Sequence, residues 1–181
     1  MTPAGARRLL HAATASVALL GLVSHPTLRL ATAYLAITAV LLEVLRLRIP
    51  AVGRGLAARI PVYRDHERER PSGAMWLTLG YAIAAWVPHP TAALTGILAG
   101  GLADPAGAMV GSRHGRGGRK SVVGSAAVGI VALAAGLVTG LPLAAAGGAA
   151  LAAAVVERWP GPCDDNLLVA PAAALAAFAL A

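Results

Sequence analysis

Pro90-Thr91-Ala92-Ala93-Leu94-Thr95-Gly96-Ile97-Leu98-Ala99-Gly100-Gly101-Leu102-Ala103-Asp104-Pro105-Ala106-Gly107-Ala108-Met109-Val110-Gly111-Ser112 is an apolar run with a single charge, Asp104. A helix needs roughly 20 such residues to cross the hydrocarbon of a bilayer, so this run is long enough to span. An acid within it is costly and marks a functional position. Asp favours an N-cap and Pro has no N–H to donate, so Asp104-Pro105 predicts a helix restart. Backbone freed by a break at that depth is tolerated only when buried in protein or facing a water-filled site.

The rest of the chain repeats the pattern. Of 181 residues, 57% are hydrophobic and 13% charged, and the mean hydropathy is +0.70. That composition reads as an integral membrane protein. Apolar stretches predict helices near 7–24, 27–45, 73–87, 90–112, 122–140, 142–156 and 165–181. The expected fold is therefore all-α: a polytopic transmembrane bundle of about seven helices in a single domain, residues 1–181, with polar loops near 46–72, 112–121 and 157–164. Several stretches are shorter than a full crossing prefers, which leaves room for a re-entrant piece. Arg7-Arg8 before the first stretch resembles a signal-peptide start, but no cleavage site follows, and the stretch reads as a membrane helix. Gly96/Gly100, Gly107/Gly111 and Gly136/Gly140 have the small-xxx-small spacing of close helix crossings.

Positive charge sets the expected orientation. With a cytoplasmic N-terminus, the basic residues at the start, in 46–72, in 113–120 and at Arg158 all fall inside. The outer turns are then Ser24-His25-Pro26-Thr27, Pro88-His89-Pro90 and Gly140-Leu141-Pro142, with only Arg29 near them. Glu43, Asp104, Glu157, Asp164 and Asp165 also cluster toward inner helix ends. One face carries nearly all the ionisable chemistry, as suits an enzyme joining a soluble substrate to a lipid; an alternating-access transporter places polar groups nearer mid-membrane. The net charge of +7 reads as topology and contact with anionic lipid. With no aromatic interleaving and no recognition motif, nucleic acid is not an expected partner. Cys163 is the only cysteine, so an intrachain disulfide and an all-cysteine metal site are excluded. Residues 50–61 read as a short amphipathic surface helix, and the mixed charge run 63–70 reads as a solvated loop.

Lys120 is the only lysine in a chain that otherwise uses arginine. It stands next to the end of the segment Gly111-Ser112-Arg113-His114-Gly115-Arg116-Gly117-Gly118-Arg119-Lys120-Ser121. This is not a Walker A motif, because Arg119 stands where Gly must precede Lys and no strand leads in. The physics is similar: glycine backbone approaches phosphate, Lys and Arg supply charge, and Ser121 caps a helix whose N-terminus favours anions. Gly111, Arg113, Gly115, Gly117, Gly118, Lys120, Ser121, Gly124 and Ser125 are the nucleotide-binding candidates. Glu157, Asp165 and Asn166, with Asp104, form an oxygen-rich set suited to Mg²⁺ or another divalent cation; Asp164 or Asp165 alternatively caps the last helix. Glu43 is a further inner-face acid or the i,i+3 partner of Arg46. His11 reads as a packed, satisfied histidine near the inner end of the first helix.

In this order the blocks resemble the polyprenol kinase family of dolichol kinases, phytol kinases and CTP-dependent diacylglycerol kinases. The similar elements are Arg7-Arg8-Leu9-Leu10-His11, Glu43-Val44-Leu45-Arg46, Asp104-Pro105-Ala106-Gly107-Ala108-Met109-Val110-Gly111, Lys120-Ser121-Val122-Val123-Gly124-Ser125, and Glu157 followed by Asp165-Asn166-Leu167-Leu168-Val169-Ala170-Pro171. Val123 stands where many members carry Glu, Gly107 where Ala is usual, and Ala103 where Gly is frequent. The resemblance implies transfer of a phosphoryl group from CTP to a lipid alcohol in the bilayer. It assigns catalysis to Asp104, Lys120 and Asp165, cation binding to Asp104, Glu157, Asp165 and Asn166, and support to Glu43, Arg46 and His11. A cytidylyltransferase making a CDP-lipid and a non-catalytic membrane scaffold are the alternatives. The bias toward Arg, Ala and Gly suggests a GC-rich prokaryotic genome, hence the plasma membrane with the active face cytoplasmic.

Overall fold

The computed structural model describes residues 2–59, 63, 67, 69–114, 120–159 and 161–181. Among them there is helix and no strand. α1 (Pro3–Thr14) runs through a 3-10 turn (Ala15–Leu19) into α2 (Leu20–Val23); then come α3 (His25–Arg48), α4 (Pro50–Arg59), α5 (Gly73–Ala85) and α6 (Pro90–Leu98). After a π-helical turn (Ala99–Ala103) follow α7 (Asp104–His114), α8 (Val122–Val138), α9 (Leu143–Arg158) and α10 (Asp165–Leu180). Three continuous helices, Ala4–Val23, His25–Arg48 and Pro90–Gly111, are long and apolar enough to cross a membrane, while Gly73–Ala85, Val122–Val138 and Asp165–Leu180 are shorter apolar helices.

Polar caps place the helix starts. Thr2, Ser24, Ser72, Ser121 and Asp164 each accept a backbone N–H from the first turn of α1, α3, α5, α8 and α10, satisfying donors that have no intrahelical partner. α4 is the short helix expected over 50–61, and it packs against the end of α3. The 46–72 segment is therefore partly helical rather than a plain loop.

The core is built mainly from alanine. Ala145, Ala146, Ala149 and Ala153 of α9 and Ala170, Ala173, Ala174 and Ala177 of α10 are fully buried. Helices with such faces approach closely, because small side chains let their backbones pack. α10 lies against α5, α6 and α9, while α8 lies against α7 and α9. Gly96 and Gly100 face Ala170 and Ala174 of α10, and Gly107 faces Val128 and Gly124 of α8. Gly136 packs on Ala146, but Gly140 sits in the turn before α9 with φ +88°, so that pair shares spacing without sharing a crossing.

These contacts set a stability test. A Cβ on Gly96 would lie 2.7 Å from the Ala174 Cβ, whereas one on Gly147 meets nothing within 4 Å. Gly96→Ala is expected to cost about 1–3 kcal/mol through overpacking. Gly147→Ala, in the interior of α9, is expected to gain about 0.5–1 kcal/mol. Thermal unfolding in detergent reads both; equal shifts for the two variants would contradict the packing described.

The Asp104-Pro105 step differs from its expected form. Asp104 has helical angles, φ −59° and ψ −50°, and is no N-cap. The helix continues from Pro90 to Gly111, and the Ala99–Ala103 π turn absorbs the proline. Proline lacks a donor and its ring crowds the carbonyl one turn back, and a widened turn relieves both without a break.

Candidate functional site

The polar side chains of α1, α3, α5, α7, α9 and α10 meet at one end of the helix array. Asp104 opens α7, Glu157 lies one residue from the end of α9, and Asp165 opens α10. One carboxylate oxygen from each lies within 4.8 Å of the other two. Lys120 reaches this group from the turn before α8: its Nζ is 2.9 Å from Glu157 Oε2 and in direct contact with Asp165 Oδ2. Burial alone would lower the lysine pKa, but the hydrogen bonds and charges of Asp165 and Glu157 outweigh it and hold the ammonium above its usual range. The Arg158 guanidinium donates to the Lys120 carbonyl and so ties the lysine backbone to α9.

His11 stands on the far side of Asp104. Its Nδ1 is 3.4 Å from Asp104 Oδ2, the residue is almost wholly buried, and the ring nitrogen makes no hydrogen bond. The histidine is packed as expected, but it is not satisfied within the protein. Beneath it, Thr14 Oγ1 donates to the His11 carbonyl at 2.7 Å and lies 3.2 Å from the buried Tyr81 hydroxyl.

Asn166 is buried beside this group; its Oδ1 has no hydrogen-bond partner, and its Nδ2 turns to Asp164. Nδ2 donates to Asp164 Oδ1 at 2.6 Å and lies 3.0 Å from where a Gly73 Cβ would be. Its backbone N–H donates to Asp164 Oδ1 at 3.0 Å and to Asp165 Oδ1 at 2.9 Å. Asp164 thus caps α10, leaving Asp165 to the carboxylate group. Burial raises the Asp164 pKa, against the hydrogen bonds from Asn166.

Glu43 and Arg46 form the i,i+3 pair expected of them, with Arg46 Nε donating to Glu43 Oε1 at 3.1 Å. The pair does more than close on itself. Glu43 also accepts the Ser72 N–H at 2.8 Å and the Ser72 hydroxyl at 3.3 Å, while Arg46 donates to the Arg70 carbonyl at 2.7 Å. The Arg46 guanidinium lies 4.8 Å from the Tyr63 ring centroid. Glu43 is therefore committed to holding the segment before α5 and takes no part in the carboxylate group.

The charge run 63–70 is not simply a solvated loop. Glu67 is buried, accepts the Gly73 N–H at 3.0 Å and lies 4.0 Å from Arg7 Nη1. Its carboxylate satisfies a helix N-terminus and faces a guanidinium, which offsets the cost of burial. Arg64, Asp65, His66 and Arg68 lie outside the described residues. Arg7, Glu67 and Arg158 carry parts of this end although the sequence assigned none of them a site role; the Arg7–His11 spacing, one helical turn on α1, is the available signal.

The expected glycine loop is only partly described. α7 continues to His114, so Gly111 and Arg113 are helical and not in a loop. Gly111 and Gly124 meet at the α7–α8 crossing, where a Cβ on Gly124 would sit 3.2 Å from the Gly111 Cα. Ser121 caps α8 through the Gly124 N–H at 3.0 Å, and Ser125 Oγ donates to the Ser121 carbonyl at 3.3 Å. Gly115, Gly117 and Gly118 lie outside the described residues. The opposite end is sparsely charged: Arg29 Nε donates to the last α5 carbonyl, Ala85, at 3.1 Å, and its guanidinium lies 5.1 Å from the Trp86 ring centroid.

No protein-family model matches the chain, nor does any curated protein or solved structure.

Proposed function

We propose that this protein is a membrane lipid-alcohol kinase, similar in kind to the polyprenol kinases, that transfers a phosphoryl group from CTP or another nucleoside triphosphate to a polyprenol, phytol or diacylglycerol-type hydroxyl. The observation that carries the reading is the convergence of Asp104, Glu157 and Asp165 with Lys120 at one end of an apolar helix array. Under this reading about seven helices cross the plasma membrane of a prokaryote, and the N-terminus and the site face the cytoplasm.

Phosphoryl transfer needs positioning and charge neutralisation more than covalent chemistry. Asp104, Glu157 and Asp165 offer hard oxygen donors of the kind Mg²⁺ takes, with waters completing the shell. A bound divalent cation would supply neutralisation of the triphosphate. Lys120 binds the phosphates from the α8 side, where the Ser121-capped N-terminus favours anions. The lipid oxygen forms a bond to the terminal phosphorus, the bond to the bridging oxygen breaks, and the nucleoside diphosphate leaves. Asp104 accepts and orients the attacking hydroxyl, with His11 behind it. The lipid arrives sideways from the bilayer.

The deciding experiment is a matrix of nucleoside triphosphates against lipid alcohols, with the protein in nanodiscs and a labelled terminal phosphate. The expected result is a labelled lipid monophosphate with release of nucleoside diphosphate. Pyrophosphate and a CDP-lipid would instead indicate a cytidylyltransferase, and the absence of any nucleotide binding would indicate a scaffold.

A further inference from the structure

Lys120 stands where a cation bound by the carboxylates would have to be. Its ammonium is within contact of Asp165 and 2.9 Å from Glu157, and those two oxygens belong to the same close set as Asp104. The lysine cannot keep both contacts while a divalent ion uses the same oxygens, since two cations would compete for the same lone pairs. The other groups of the site also lean toward an incoming cation. His11 Nδ1, in a side chain only 5% exposed, has no hydrogen-bond partner and faces Asp104, and Glu157 Oε2 has Lys120 alone against it.

The lysine is also the member best placed to leave. Its side chain is 34% exposed, against 12% for Glu157 and 21% for Asp165, so it enters the group from the open side. Its backbone is held by Arg158 and by the neighbouring Ser121 cap, which leaves the flexible four-carbon stem as the moving part. A withdrawn ammonium comes to lie beside the N-terminus of α8, where a phosphate is favoured by the helix end.

We infer that Lys120 is an exchangeable counter-ion: it neutralises the carboxylates when no metal is bound, and a divalent cation displaces it toward the place where nucleotide phosphate binds. This rests on the kinase reading for the identity of the phosphate, but the displacement itself requires only the cation. The same residue thereby couples two events, because the metal must release the lysine before the lysine can hold the triphosphate.

Lys120 is the only lysine, so its fate can be followed in the unmodified protein. Acetylation by an N-hydroxysuccinimide ester, read by peptide mass spectrometry, is run with and without Mn²⁺, with the chain's terminal amine as internal reference. Mn²⁺ alone is expected to raise the Lys120 acetylation rate about tenfold relative to the reference. Added CTP should lower it again. In calorimetry, Lys120→Met should bind Mn²⁺ about tenfold more tightly than the wild type, because the resident competitor is gone. If Mn²⁺ leaves the acetylation rate unchanged or lowers it, or if the wild type binds no Mn²⁺, the exchange is overturned. If Lys120→Met does not fold, the acetylation result on the wild type decides alone. Lipid phosphorylation without lysine release would remove this inference and leave the kinase reading standing. Lysine release without lipid phosphorylation by any nucleotide would do the reverse.

Discussion

Asp104→Asn is expected to lower the rate of lipid phosphate formation by about 10³-fold, in the range seen when one preorganised electrostatic group is lost from a reaction centre. The substitution keeps the shape of the side chain and removes its charge. Asp104 is the member of the carboxylate group that lies within a continuous apolar helix of bilayer-spanning length, Pro90–Gly111. Its oxygens lie between His11 on one side and the Glu157–Asp165–Lys120 cluster on the other. An amide there cannot accept a proton from an attacking hydroxyl and is a poor ligand for a hard cation. Because the residue is partly exposed and the helix is continuous, folding should survive, and matched circular dichroism and thermal unfolding check that it does. A folded Asp104→Asn protein with the wild-type rate would remove Asp104 from the chemistry.

The largest expected effect on stability belongs to Glu43→Ala. Glu43 and Arg46 are both nearly inaccessible to solvent, and Glu43 also accepts both donors of Ser72, the cap of α5. Removing one member of a buried ion pair costs about 3–5 kcal/mol, because the other charge loses its carboxylate while still buried. Here the Ser72 N–H and hydroxyl lose an acceptor as well, and the segment leading into α5 loses its tie to α3. Unfolding of purified protein in detergent should show that loss. Replacing both residues, Glu43→Leu with Arg46→Leu, should recover a large part of it, since an apolar pair of similar volume carries no desolvation penalty. If the double variant is less stable than the single one, the cost of Glu43→Ala does not come from a stranded charge.

The helical character was legible because bilayer-length apolar runs permit little else. Only a helix satisfies its own backbone within one apolar segment, so Pro90–Gly111 and His25–Arg48 could be read without any long-range information. The π turn could not. Asp-Pro is the signature of a helix start, and the same two residues in mid-helix look identical until the neighbouring turn is seen to widen at Ala99–Ala103. The fate of the 63–70 run was equally hidden: charge runs usually face water, and nothing local to Glu67 marks it as the acceptor of the Gly73 N–H. For the candidate site, the residue types were readable one at a time. Their meeting was not, because Asp104, Lys120, Glu157 and Asp165 are separated by whole helices and come together only through the packing of α7, α8, α9 and α10. Gly111 carried two readings, a phosphate-loop glycine and, with Gly107, a close helix crossing; the α7–α8 contact with Gly124 is the crossing.

The N-terminal rod has an uneven position in this arrangement. It supplies His11 to Asp104, Arg7 to Glu67 and Thr14 to Tyr81, yet its Ala4–Val23 span is among the least buried of the apolar helices. Its polar ties lie at one end, and Ala15, Val17 and Ala18 add a short buried apolar stretch after them, while the alanine-lined helices behind it interlock along their lengths. Segments with few buried contacts open at lower free energy than the body they rest on. The lightly buried stave carries one wall of the Asp104 group, so the surroundings of Asp104 would loosen before the interlocked helices on warming and be restored after them on cooling.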